Sequence, residues 1–202
     1  MNVSPNVLAA LIVARKTGSE PLTSGGEPLG FDLLGFWQWA CSDLMGNSLR
    51  GILAEYLVAA ALGCTSATRT EWDAYDVRTP DGIRVEVKSA AYVQTWHQTK
   101  LSQISYDIRP TFGWTAETNS FSKNQVRQAE VYVFCLLAHQ DKATVDPLDL
   151  DQWEFYCLQT AVLDARLGTQ KRLSHGRLMT LKPKKATFRE LPDVVRQLSC
   201  VT

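Results

Sequence analysis

The chain has 202 residues, of which 45% are hydrophobic, and its 21 basic and 21 acidic residues give a formal net charge of zero. A chain of this size and composition can bury the core of one domain, so we treat residues 1–202 as a single domain. Neutral charge argues against a large nucleic-acid footprint, and no stretch approaches the roughly 18 apolar residues of a membrane span.

The five cysteines and three histidines exclude two further kinds of site. The cysteines include no CxxC pair, and their odd number and wide spacing fit neither a disulfide framework nor a zinc site. No two histidines have the spacing of a ligand pair. We therefore expect reduced cysteines in a cytoplasmic protein that does not associate with membranes, and any bound metal should be a hard cation held by carboxylates.

The predicted elements begin with a short helix over the apolar run at 7–14. A longer helix is predicted at 47–63, with Asn47 and Gly63 at its ends and an almost unbroken apolar surface that should be enclosed on most sides. Aromatic and β-branched residues then predict strands, followed by two helices at 161–168 and 188–199. The predicted strands are 66–70, 75–79, 83–91, 103–108, 130–139 and 153–160. This order favours an α/β sandwich with a mixed sheet and helices on both faces.

The segment AYDVRTPDGIRVEVK, residues 74–88, predicts a tight hairpin with valines on one face and charged residues on the other. A three-residue loop at 80–82 would set Asp76 opposite Glu86 and keep the valines together. A two-residue Asp-Gly loop would instead set Val77 against Glu86 and mix the two faces. The alternation therefore favours the longer loop.

In that register the Cβ atoms of Asp76 and Glu86 would lie about 4.5 to 5.5 Å apart, a repulsive pairing that Mg²⁺ could offset. Asp73 is the competing carboxylate, but its position points with the apolar set, so we favour Asp76. Lys88 projects on the same side, where its ammonium could orient water and stabilise charge on a phosphate. Glu55, the lone acid of its helix, needs a counter-charge, which the metal site, Arg50 or a distant lysine could supply.

Taken together, a helical Glu55, a strand Asp76, a turn, and then Glu86 and Lys88 in a Glu-x-Lys triplet resemble the motif of the PD-(D/E)xK nuclease superfamily. The resemblance covers about residues 47–91. It implies a restriction endonuclease-like three-layer sandwich, in which helices flank a central mixed sheet with an αβββαβ core. It also implies that Asp76 and Glu86 bind Mg²⁺, with Mn²⁺ as a substitute, that Lys88 helps to activate water and that Glu55 assists.

The same resemblance implies hydrolysis of phosphodiester bonds, and we expect a DNA endonuclease of the restriction or phage-defence kind. Tyr75 stands where the superfamily often has proline. The intact acid-acid-lysine set favours an enzyme, whereas zero net charge leaves open a non-catalytic nucleic-acid-binding or assembly protein that keeps the fold. DNA is favoured over RNA as the partner, and the oligomeric state stays open, a homodimer included.

Two charged segments and one polar segment complete the predictions. Residues 169–189 hold seven Lys or Arg and no acid, which indicates either a solvated face or contacts to phosphates. The acid-rich segment 141–154 should lie away from the substrate. In the segment 92–103, Trp96 is expected in the core and the glutamines in solvent, with a substrate groove as the alternative. The candidate phosphate contacts are Lys171, Arg172, Arg177, Lys182, Lys184 and Lys185.

Overall fold

The computed structural model describes residues 11–70, 73–115 and 120–200. Its first elements are β1 (Pro21–Ser24), β2 (Glu27–Asp32), α1 (Leu33–Cys41) and α2 (Asn47–Ala61). The middle elements are β3 (Val77–Arg78), β4 (Arg84–Ala91), β5 (Ser105–Asp107), β6 (Thr111–Thr115), β7 (Ser120–Val126) and β8 (Val131–Leu137). A 3-10 turn (Leu150–Gln152) precedes the last elements, which are β9 (Trp153–Gln159), α3 (Thr160–Leu167), β10 (Arg172–Ser174), α4 (His175–Thr180), β11 (Lys184–Ala186) and α5 (Leu191–Ser199).

Five strands form the main sheet in the order β11-β9-β8-β4-β3. The pair β4–β8 is parallel, with Val85 beside Val131, and the other neighbours are antiparallel. The predicted mixed sheet is therefore confirmed. Strand β8 lies at its centre and is buried at every position, as expected for a strand whose two faces are both covered.

Helices cover both faces of this sheet, as the sequence predicts. On one face, Ala54 and Val58 of α2 and Leu191 of α5 pack in one hydrophobic cluster with inward-facing strand residues. On the other face, Leu163 of α3 and Leu178 of α4 pack against the opposite side of the same strands. The result is a helix–sheet–helix arrangement whose two cores share the sheet between them.

The ends of α2 differ in part from the prediction. The N-cap is Gly46 rather than Asn47, whose side-chain oxygen instead accepts a hydrogen bond from Arg50. At the other end Gly63 has a φ of +71°, and the amides of residues 63 and 64 bond back into the last turn. This is a Schellman ending, and it confirms the predicted role of the glycine.

The prediction that α2 is enclosed on most sides is wrong. Ala54, Leu57 and Val58 are buried against the sheet, but Ile52 is 41% exposed and Tyr56 is 55% exposed. Within the described part of the chain, the face that carries Ile52 and Tyr56 borders a cavity and is not covered by another helix or strand. The apolar composition of the helix therefore predicted more burial than the structure shows.

The β3–β4 hairpin has the predicted register. Val77 pairs with Val85, and the loop between the flanking residues Thr79 and Ile83 contains three residues. Gly82 has a φ of +91°, which a glycine adopts at little steric cost. The valines of both strands lie in the core below α2, so the charged residues occupy the other face.

Several predicted elements are shorter or absent. Residues 66–70 are irregular rather than a strand, because their polar sequence has no apolar face to bury. The predicted helix at 7–14 is not seen at 11–14, and its remaining residues lie outside the described part of the chain. The implied αβββαβ core has three strands before its second helix. Here four strands of the main sheet precede α3, because the acid-rich segment between β8 and β9 forms turns and no α-helix. None of the described helices combines the length and apolarity that a bilayer crossing needs.

Candidate active site

The Asp76 carboxylate is fixed against the backbone of β4. The backbone N–H of Asp76 donates a hydrogen bond to the Val85 carbonyl (3.2 Å), and the Asp76 Oδ2 atom accepts one from the Val87 N–H (2.7 Å). The paired residues of β3 begin at Val77, so a side chain bonds to β4 just beyond the ladder. Asp76 is thereby placed beside the peptide that joins Glu86 to Val87.

Glu86 and Lys88 occupy alternate positions of β4 and project from the same face. Their side chains are 19% and 27% exposed, and Lys88 Nζ donates a hydrogen bond to Glu86 Oε1 (2.6 Å). Burial would lower the pKa of Lys88, but the negative charges of Glu86 and Asp76 outweigh it and raise that pKa. Lys88 therefore carries its positive charge next to both acids.

Asp76 has the most perturbed carboxyl group of the site. Burial, followed by the charge of Glu86, raises its pKa to about 7, and Glu55 acts in the same direction. Lys88 and the Val87 N–H oppose this rise without cancelling it. The two strand acids therefore repel each other in the metal-free protein, as the register implied.

Glu55 reaches the same region from α2. A cavity of about 410 Å³ is bordered by α2, by the irregular segment 64–70 and by the start of β3, and both Glu55 and Asp76 line it. The Glu55 carboxylate is bound by two nitrogen atoms of Arg69, one of them at 3.2 Å. The basic partner of Glu55 is therefore Arg69, and neither Arg50 nor a lysine as the sequence analysis expected, since the Arg50 guanidinium binds Met45, Asn47 and Gln94 instead.

The four predicted residues are therefore brought into one region, although not into one cluster. Asp76, Glu86 and Lys88 interact directly or through their charges, whereas Glu55 is engaged by Arg69. Within the described ranges, no group of three His, Cys, Asp or Glu side chains could hold a metal ion. Asp76 and Glu86 still provide the donor chemistry that Mg²⁺ accepts, since it is commonly bound through one or two carboxylates and retained waters.

One acid near Lys88 was missed by the sequence analysis. Strand β5 lies against β4, and the charge of Asp107 contributes to the raised pKa of Lys88. Asp107 also forms an ion pair with Arg109 (2.5 Å), and Arg172 of β10 lies opposite it in the β5–β10 ladder. No local pattern marks Asp107, because its position depends on how β5 docks on the main sheet.

The predicted phosphate contacts fall into separate groups. Lys171 and Arg172 lie beside β5, which is near Lys88. Lys184 and Lys185 lie on β11, the sheet edge opposite β3, where they bond to Gln197 (2.9 Å) and Glu154 (2.6 Å). The remaining candidates are Arg177 within α4 and Lys182 just after it.

The expectation for residues 92–103 is wrong in two respects. Gln94 is buried rather than solvated, because it accepts a hydrogen bond from Arg50 and donates one to the Ala91 carbonyl. Trp96 is 52% exposed rather than part of the core. Gln98 supports the turn through the Gln94 amide and the Tyr92 carbonyl, so these glutamines order the loop after β4.

Comparison with known families places this chain in a nuclease family. The sequence model of the family described as bacteriophage T4 endonuclease IV matches residues 38–169, which is more than half of the chain. This protein belongs to the bacteriophage T4 endonuclease IV family. The match makes it a member of a nuclease family and spans α2 through α3, including all four predicted site residues, but it ends before Lys171, the first basic residue of the segment 169–189. A search of curated proteins finds no match.

The raised pKa of Asp76 predicts how the stability of this endonuclease IV family member depends on pH in a chelator. The folded state holds the Asp76 proton more tightly than the unfolded state, so its contribution is complete below about pH 4 and is lost as pH rises through about 7. Asp76→Asn cannot ionise. Its melting temperature relative to wild type should therefore be higher at pH 8 than at pH 5.

Asp107→Asn is the matched control, because hydrogen bonds and charge from Arg109 lower the pKa of Asp107 despite its partial burial. Stability from Asp107 is present above the unfolded pKa, so the difference between this variant and wild type should stay constant from pH 5 to pH 8. Thermal unfolding followed by circular dichroism measures the melting temperatures of wild type and of both variants. An equal difference at pH 5 and pH 8 for Asp76→Asn would contradict the electrostatic description of the site.

Proposed function

We propose that this protein is a Mg²⁺-dependent DNA endonuclease, with Mn²⁺ as a substitute ion, whose active site contains Asp76, Glu86, Lys88 and Glu55. One observation carries the proposal: two acids and a charged lysine converge at one edge of the β3–β4 hairpin. Membership of an endonuclease family supports hydrolysis of a nucleic acid as the reaction. A carboxyl group whose pKa is raised by burial and a neighbouring charge, at the edge of a cavity, is also typical of a functional site.

The residues have distinct roles in this reaction. Asp76 and Glu86 would hold Mg²⁺, which when bound polarises a phosphate oxygen and makes a water molecule more acidic. Lys88 holds the attacking water and donates hydrogen bonds to the negative charge that develops on the phosphate. The Val87 N–H keeps the Asp76 carboxylate in place, so it need not be reordered when the substrate arrives.

A superfamily and a biological role can also be proposed for this chain. We infer that residues 1–202 form one restriction endonuclease-like domain of the PD-(D/E)xK superfamily, acting in restriction or phage defence. The hairpin register and the helix–sheet–helix layers support this fold. All five cysteines are free, which supports a reducing, cytoplasmic environment.

A homodimer is part of the same proposal. Phe31, Phe36 and Trp39 are exposed in β2 and α1, and Trp39 is 84% exposed. Phe36 and Trp39 are three positions apart on α1 and so share one side of the helix, and grouped exposed apolar side chains are typical of surfaces that bind another protein. Sedimentation velocity of the full chain tests this point, and a monomer at micromolar concentration would contradict it.

One observation favours the non-catalytic alternative: the Glu55 carboxylate already accepts hydrogen bonds from Arg69. Under this alternative the protein binds nucleic acid but hydrolyses nothing. The two functions differ in the consequence of changing Lys88, because only the enzyme needs its ammonium for chemistry.

Lys88→Met should reduce single-turnover cleavage of DNA by roughly 10²- to 10³-fold, because it removes charge stabilisation at the phosphate. DNA affinity should change far less, because the proposed role of Lys88 is in the transition state. Lys100→Met, at an exposed loop lysine, is the control and should cleave at the native rate. Native cleavage by Lys88→Met would contradict the assigned role.

Nucleic-acid contacts can be mapped from the salt dependence of binding in the Lys88→Met background. If Lys171 and Arg172 contact duplex phosphates, replacing both with Gln should reduce the slope of log affinity against log salt by roughly 0.9 per lost contact. The same measurement on a variant with Gln at Lys184 and Lys185 reports whether the far sheet edge takes part. An unchanged slope in both variants would mean that these four residues lie on a solvated face and do not contact phosphates.

A further inference from the structure

Arg69 and Glu55 form an ion pair between two differently held parts of the chain. Glu55 lies on α2, which is anchored to the sheet through Ala54 and Val58, and its side chain is 17% exposed. Arg69 lies on an irregular segment, and its side chain is 41% exposed. The acid is therefore held by a helix packed on the sheet, whereas its basic partner is the more exposed member of the pair and lies outside any helix or strand.

The position of this pair connects it to the proposed metal site. Glu55 and Asp76 line the same cavity, and the charge of Glu55 helps to raise the pKa of Asp76. While Arg69 binds the Glu55 carboxylate, those oxygen atoms are engaged by the guanidinium. A cation that draws on Glu55 must therefore displace Arg69 or share the carboxylate with it.

The chemistry of the guanidinium provides an alternative partner for Arg69. Its planar donor fork fits a carboxylate and a phosphate with the same two-point geometry. Arg15 and Arg78 line the same cavity, so an anion that enters would also meet two further positive side chains. A phosphate of the DNA backbone can thus replace the Glu55 carboxylate without loss of the paired hydrogen bonds.

We propose that Arg69 is a positioning residue that exchanges partners: it binds Glu55 in the metal-free protein and a DNA phosphate when the metal site is filled. This inference rests on the proposed function. The exchange makes metal and DNA binding cooperative, because either ligand lowers the free energy needed to break the Arg69–Glu55 pair for the other. By thermodynamic linkage, DNA must then tighten metal binding by the same factor as the metal tightens DNA binding.

The test measures the Mn²⁺ dissociation constant by electron paramagnetic resonance of free Mn²⁺, and it needs no cleavage. It is made with and without a short duplex DNA, and separately a short single strand, in the Lys88→Met background. In the Lys88→Met protein with Arg69 intact, which is the parent of the other variants, the duplex or the single strand should tighten Mn²⁺ binding by about 5- to 150-fold. Arg69→Gln should bind Mn²⁺ more tightly without DNA and should lose the response to DNA.

Two further variants separate partner exchange from simple loss of charge. Arg78→Gln removes a positive charge from the same cavity but no bond to Glu55, so it should weaken DNA binding yet keep the factor by which saturating DNA tightens Mn²⁺ binding. Arg69→Lys keeps the charge without the two-point fork, so its response should be reduced. A full response to DNA in both Arg69 variants, or an equal loss in Arg78→Gln, would overturn the inference. If the parent binds no Mn²⁺ at all, the proposed function fails with it.

Discussion

The hydrogen bond from the Val87 N–H to the Asp76 carboxylate is the interaction on which the candidate site depends. It exists because the three-residue loop ending in Gly82 pairs Val77 with Val85, which places Asp76 beside the next stretch of β4. A shift of the hairpin by one residue would turn every side chain of one strand to the opposite face. Burial of the valines under α2 therefore also fixes the positions of the acids.

The site combines charges that an ordinary sheet surface would avoid. Asp76 and Glu86 repel each other in a half-buried position, and Lys88 relieves that repulsion only in part, which is why the pKa of Asp76 stays raised. Departures from good local electrostatics are expected where function requires them. A divalent cation between the acids would remove the repulsion, and the charged lysine would remain for the phosphate.

The sequence predicted the features that follow from short-range patterns. Period-two alternation and one turn glycine were enough for the register of the hairpin, and the Ala/Leu-rich segment with Gly63 was enough for α2. Features that depend on packing between distant segments were missed. Arg69 binds Glu55 across an irregular segment, and Asp107 approaches Lys88 only because β5 docks on β4.

The central claim is that Asp76 and Glu86 serve a metal-dependent hydrolysis of DNA. The most direct measurement follows nicking of supercoiled DNA, alongside a single-stranded circle, by wild type and Glu86→Gln in Mg²⁺ and in chelator. We predict cleavage of at least one DNA by wild type in Mg²⁺, none in chelator, and none by a folded Glu86→Gln variant. Cleavage by wild type in chelator, or cleavage by Glu86→Gln at the wild-type rate, would contradict the claim.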